Sequence, residues 1–237
     1  PASALNIPLF WIRPQQLLSA ANGTHRFIWD LHYTPINTPP SYPISAIYKN
    51  TAPRPTSPWV MPEDYMVKLS IDGKVFSQSL TIKMDPRVKT SKAELQKQHD
   101  LAITCYEARK KIIGISQATV SLHNQLKDLG TKASGELAAS LKSFDNKITT
   151  MDKGNPGDKL KGFSQVYATF TGLFEDLEGA DMPVPSQVNE AVLKNEIELK
   201  RLYNNWDKTK SEIAAINKKL KEVGMPVINE PDNSSYK

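Results

Sequence analysis

A single cysteine, Cys105, among 237 residues leaves no partner for an internal disulfide and too few thiolates for a cysteine-built zinc cluster. No stretch of about 18 apolar residues is long enough to span a bilayer, and no signal peptide opens the chain. Glycine-rich phosphate loops and the Gly-x-Ser-x-Gly elbow of serine hydrolases are absent as well. The four histidines, at positions 25, 32, 99 and 123, fall into no compact ligand spacing. No cofactor, metal or catalytic residue is therefore expected. The formal charge of +5 is thinly spread, with 9 basic against 5 acidic side chains in residues 1–90 and 21 against 20 in residues 91–237. Nucleic-acid binding requires a clustered basic stripe. The densest local group, Arg109-Lys110-Lys111, sits on a helix with an apolar opposite face, so no nucleic-acid partner is expected.

What is present divides near Thr90. Twelve of the 17 prolines lie in residues 1–90, and none lies between Pro86 and Pro156. Proline removes a backbone donor and blocks helix interiors, so the first region must be strands and loops while the second is free to be helical. In Thr24–Leu31, Phe27, Trp29 and Leu31 share one face and Arg26 and Asp30 the other, the alternation of a half-buried strand. Tyr65–Ile71 and Val75–Met84 alternate similarly around Asp72-Gly73, which predicts a tight hairpin. The proline-dense stretch from Tyr33 to Pro62 should run as an extended loop or edge. Pro8-Leu9-Phe10-Trp11-Ile12 reads as a buried strand only a few residues in, which suggests that the chain begins inside a longer protein.

Beyond Thr90 the apolar period lengthens to about 3.5 residues. One stripe runs from Leu101 to Leu129 and a matching one from Val188 to Val223, with two shorter stripes, Leu137–Met151 and Phe163–Leu177, between them. The breaker Gly154-Asn155-Pro156-Gly157-Asp158 separates the short pair, Ser91 and Glu94 form a capping-box pattern, and Gly179 and Gly224 are helix stops. The expected fold is α+β in two domains: a small immunoglobulin-like β-sandwich over 1–90, then an antiparallel four-helix bundle over 91–228 in the order long, short, short, long. Residues 229–237 form a C-terminal tail. The long pair should outreach the short pair, leaving one end of the bundle as an antiparallel coiled coil.

Candidate chemistry is sparse. Asp30 and His32 would share a strand face as acid and orienter, although an outward pair or loop anchor is the simpler reading. Glu175, Asp176, Glu178 and Asp181 lack the alternating oxygens of a calcium loop and sit at a helix end. Cys105 occupies a core position, as an inert buried thiol does. The aromatics of the first region either fill a core or form a sugar-stacking platform. The residues placed as possible carbohydrate or partner contacts are Trp11, Tyr42, Tyr48 and Trp59. Asn22-Gly23-Thr24 and Asn233-Ser234-Ser235 match the glycosylation sequon.

A string of motifs runs in order through most of the chain: Phe10-Trp11-Ile12-Arg13-Pro14, Gly23–Tyr33, Tyr42-Pro43-Ile44-Ser45-Ala46-Ile47, Pro58-Trp59-Val60-Met61-Pro62, the Tyr65–Ile71 strand, Met84-Asp85-Pro86-Arg87-Val88, Leu177–Asp181, Trp206 and Leu220–Pro226. Together they resemble the C-terminal region of bacterial BNR-repeat, sortilin-like β-propeller proteins, often labelled glycosyl hydrolases or exo-sialidase-like proteins. The resemblance implies a secreted or periplasmic address and an N-terminal β-propeller of the same parent protein as partner. No catalytic residue of the family maps onto this segment. The expected role is a non-catalytic accessory or interaction module, with a carbohydrate-binding module and part of a genuine glycoside hydrolase as the alternatives.

Overall fold

The computed structural model describes residues 7–14, 17–43, 46–155 and 160–230. Ile44-Ser45, the Pro156-Gly157-Asp158 part of the helix breaker and the Asn233 sequon lie outside them. The chain divides into two compact units, Pro1–Lys89 and Thr90–Lys237. The described residues are mixed α+β, with four α-helices and a two-stranded antiparallel sheet.

In the first unit, β1 (Asp64–Ile71) pairs with β2 (Lys74–Thr81). Asp72 and Gly73 both have positive φ, 48° and 79°, as a two-residue turn must to match strand twist. Two strands do not make a sandwich. The Thr24–Leu31 segment is irregular, Phe27 is exposed and Leu31 turns the backbone at φ 62°. Pro8–Ile12 forms one short 3-10 turn, Leu9–Trp11, rather than a buried strand. The physical reason is the shortage of donors opposite these segments, since Tyr33–Pro62 is rich in proline. Among the described residues these segments form only isolated bridges, Ile12 with Thr51 and His32 with Trp59, each closed by two backbone bonds, as Tyr33 N–H to Pro58 O at 2.9 Å and Val60 N–H to Leu31 O at 2.8 Å close the second.

The second unit opens on the Ser91–Glu94 capping box, Ser91 Oγ accepting from Glu94 N–H and the Glu94 carboxylate accepting from Ser91 N–H. Helix α1 (Lys92–Gly130), α2 (Gly135–Lys153), α3 (Phe163–Glu178) and α4 (Ser186–Glu222) follow the expected long, short, short, long order. The seams are buried as the spacing demands: Cys105, Ile112, Ile115 and Leu122 on α1, and Val192, Leu202, Trp206, Ile213 and Leu220 on α4. Phe163, Val166, Phe170 and Phe174 fill the middle; Phe174 takes the place expected for Leu173.

The arrangement of these helices differs from an up-down four-helix bundle. Gln98 of α1 donates to Leu177 O and Ala180 O at the end of α3, while His123 of α1 meets Asp145 of α2 at 2.7 Å. On α4, Asn195 Nδ2 donates to Val166 O of α3 at 3.0 Å, Glu212 pairs with Lys147 of α2, and Lys219 lies 3.9 Å from Glu136. Both long helices thus track first one short helix and then the other. Helices α2 and α3 run in tandem, antiparallel to α1 and α4, which are parallel to each other. At 1.5 Å per residue, α2 and α3 together span about 52 Å against about 58 Å for α1, so the bundle is three helices thick nearly throughout. The expected two-helix coiled coil at one end does not form. The cause is the link itself: Gly162 returns to pack on Asp152–Gly154, so α3 resumes the direction of α2 instead of reversing.

The segment after α4 stays on the bundle as far as Asn229, the first residue of the expected C-terminal tail. Gly224, at φ 70°, ends the helix, and Ile228 is buried. Asn217 clasps Ile228 through both its N–H and its C=O, at 2.7 and 2.9 Å, and Gln125 of α1 clasps Asn229 in the same way at 2.8 and 3.2 Å.

Candidate functional site

The hairpin register decides which side chains share a face. Tyr65 opposes Leu80, Val67 opposes Gln78, Leu69 opposes Phe76 and Ile71 opposes Lys74. Opposed residues point the same way, so one face carries Tyr65, Val67, Leu69, Ile71, Phe76 and Leu80, with Lys74 and Gln78 as its polar members. The other is mainly polar, with Asp64, Lys68, Ser70, Ser77, Ser79 and Thr81 beside Met66 and Val75. Such a division marks a strand pair made to cover something. Yet Val67, Leu69, Ile71 and Leu80 are 39–50% exposed and Phe76 58%.

Only the root of this face is anchored. The Tyr65 hydroxyl donates to Met61 O at 2.7 Å, and the Trp29 ring meets Tyr65 edge-on, centroids 5.9 Å apart. Partial burial pushes the Tyr65 phenol above its usual range, aided by the neighbouring Tyr33 and Glu63. Trp29 Nε1 donates to His32 O at 2.9 Å, so Trp29 is a half-buried loop anchor rather than a member of a strand's inner face.

Asp30 and His32 come together, though as a turn. Asp30 Oδ1 accepts from His32 N–H at 3.1 Å, and the imidazole stacks on Trp59 with centroids 3.8 Å apart. That arrangement holds the loop and presents no nucleophile. Of the four aromatics placed as contacts, Tyr42 is buried, Trp11 and Tyr48 flank the exposed Phe10 at 6.4 and 6.2 Å, and Trp59 stands apart on His32. Phe10 is the missing link of that small cluster. The acidic residues at the end of α3 are largely exposed, and no group of three His, Cys, Asp or Glu able to hold a metal occurs among the described residues.

No protein-family model, curated protein or solved structure matches the chain. Function must therefore be read from these surfaces.

The basic triplet on α1 is split by its helix. Arg109 is buried with its guanidinium over Phe174 and Tyr167, at 4.9 and 5.7 Å from the ring centroids. Lys110 and Lys111 both face out, Lys110 pairing with Glu107 at 3.2 Å. Cys105 is fully buried, and burial pushes its thiol up to about 12, outweighing the nearby Arg109. No helix of the described chain is long and apolar enough to cross a membrane.

Proposed function

We propose that the chain is a non-catalytic interaction module whose first unit docks, through the apolar face of its hairpin, on an N-terminal β-propeller of the same secreted or periplasmic parent protein. The observation that carries this reading is the imbalance of the first unit. Among its described residues only Ile7, Ile36, Tyr42 and Met61 are buried apolar side chains, whereas 17 large apolar ones are exposed. An isolated two-stranded hairpin is marginal in water, and contiguous bare apolar faces mark contact sites. Covering the exposed halves of Val67, Leu69, Ile71, Phe76 and Leu80 is worth about 1 kcal/mol each before the cost of association. The helical unit has a filled core of its own.

The test uses the full chain and the propeller encoded in the same gene, mixed in trans and followed by calorimetry. Binding should weaken at least tenfold in Leu69→Ser and in Phe76→Ser, both exposed enough to leave folding unchanged. Full-strength binding by both variants would sink the reading. Hydrolysis of sialosides and aryl glycosides by the chain alone should stay at background, and turnover abolished by one Asp or Glu substitution would establish a hydrolase instead. A second reading, carbohydrate binding, draws on the Phe10–Trp11–Tyr48 cluster. It requires glycan binding that Tyr48→Ala removes.

A further inference from the structure

Helices α1 and α4 are parallel and border a groove of about 750 Å³. Ile103, Leu193, Ile197 and Tyr203 form its apolar floor and walls, with Leu193 50% and Ile197 69% exposed. Burial holds the Tyr203 phenol well above the usual tyrosine range, and its hydroxyl is buried without a hydrogen-bond partner. The rails of the groove carry the same charge order. On α1 Glu107 precedes Lys111 by four residues, and on α4 Glu196 precedes Lys200 by four. The two pairs lie at similar heights, since all four residues line the same groove.

We infer that this groove is a self-association surface, in which a second copy packs groove to groove about a two-fold axis lying between the molecules at right angles to the helices. The charge order selects that axis. A two-fold parallel to the helices would set α1 on the other copy's α4 in the same direction, Glu against Glu and Lys against Lys. The perpendicular axis sets each helix antiparallel to its own counterpart. Glu107 then faces Lys111 of the second copy, and Glu196 faces its Lys200, on both rails at once. Ile197 lies one residue from the midpoint of the Glu196–Lys200 pair, so it meets its own counterpart at the axis. Lys111 and Lys200 make no ion pair among the described residues, which leaves them available for this contact.

The groove covers only about three helical turns, so the dimer should be weak and visible as a concentration dependence. Sedimentation velocity on the full chain from about 5 to 500 µM should show a reversible monomer–dimer equilibrium. Ile197→Glu, which sets two carboxylates together at the axis, should give a monomer throughout with unchanged helicity and unfolding midpoint. Glu196→Lys should weaken the dimer about tenfold by replacing two attractive pairs with repulsive ones, and Glu196→Lys with Lys200→Glu should restore it. Phe76→Ser, on the hairpin, should leave it unchanged. A chain that stays monomeric, a dimer that survives Ile197→Glu, or a double reversal that fails to restore association would each overturn the assignment. None of these results bears on propeller binding, which is measured on the hairpin.

Discussion

The tandem stacking of α2 and α3 depends on a close approach at Gly162, and one methyl group tests it. Gly162 has φ −89° and ψ 176°, an extended conformation open to alanine, so substitution there carries no backbone strain of its own. Its cost is steric. A β-carbon on Gly162 would lie 2.6 Å from Asp152 O and 2.8 Å from Lys153 C, and closer still to Gly154 N. All three are backbone atoms at the end of α2, so no side chain can rotate away. Overpacking typically costs about 1–3 kcal/mol, and rigid neighbours put Gly162→Ala near the upper end. For a unit of this size that lowers the midpoint of thermal unfolding by about 4–10 °C. Gly172→Ala supplies the opposite sign. Gly172 is exposed within α3 with nothing near its missing β-carbon, and the substitution should stabilise by about 0.5–1 kcal/mol. Circular dichroism at 222 nm reads both variants, since the first unit contributes no α-helix among its described residues. Gly162→Ala melting at or above the wild-type temperature would refute the stacked junction.

Two further outcomes bear on the bundle. Because the Cys105 thiol is held near 12 against an ordinary 9.0, it should resist alkylation at pH 8 in the folded chain and react at the free-thiol rate in urea. The same shift makes stability independent of this group below about pH 9, and lowers it as pH rises toward 12, where the unfolded thiol ionises and the buried one does not. Leu202→Asp sets a charge into the α4 seam without a partner, at a cost of several kcal/mol, and should abolish cooperative helical melting. Lys208→Asp, two residues past buried Trp206 but on the outward face, should shift the midpoint by less than about 2 °C. Equal loss of helicity in the two would show that the seam was misplaced.

The helices were legible because their signals are local. A stripe from Leu101 to Leu129 needs only its own spacing to name a buried face, and Ser91 with Glu94 needs only three residues to mark a start. How the four elements assemble was less accessible. Two short helices with a glycine-rich link are compatible with reversal or with continuation, and the choice rests on the approach of Gly162 to Asp152–Gly154, which no period in the sequence encodes. The clasp of Asn217 and Gln125 on residues 228–229 was equally silent, since isolated polar residues on long helices ordinarily face water.

In the first unit the sequence reading failed at a different link. Alternation through Tyr65–Ile71 and Val75–Leu80 states that one face of a hairpin is covered, and Asp72-Gly73 fixes the register that gathers that face. It does not state what covers it. Supplying the cover from within the chain made Thr24–Leu31 and Pro8–Ile12 strands of a sandwich. Their neighbours could not provide the backbone donors for it, and those segments run instead as loops pinned by Trp29, His32 and Thr51. With no second sheet among the described residues, the alternation keeps its meaning and changes its address. The side chains that an internal reading assigns to a core are the ones that remain exposed, and Leu69 and Phe76, opposed at the centre of the bare face, become the residues through which a partner's surface would be felt first.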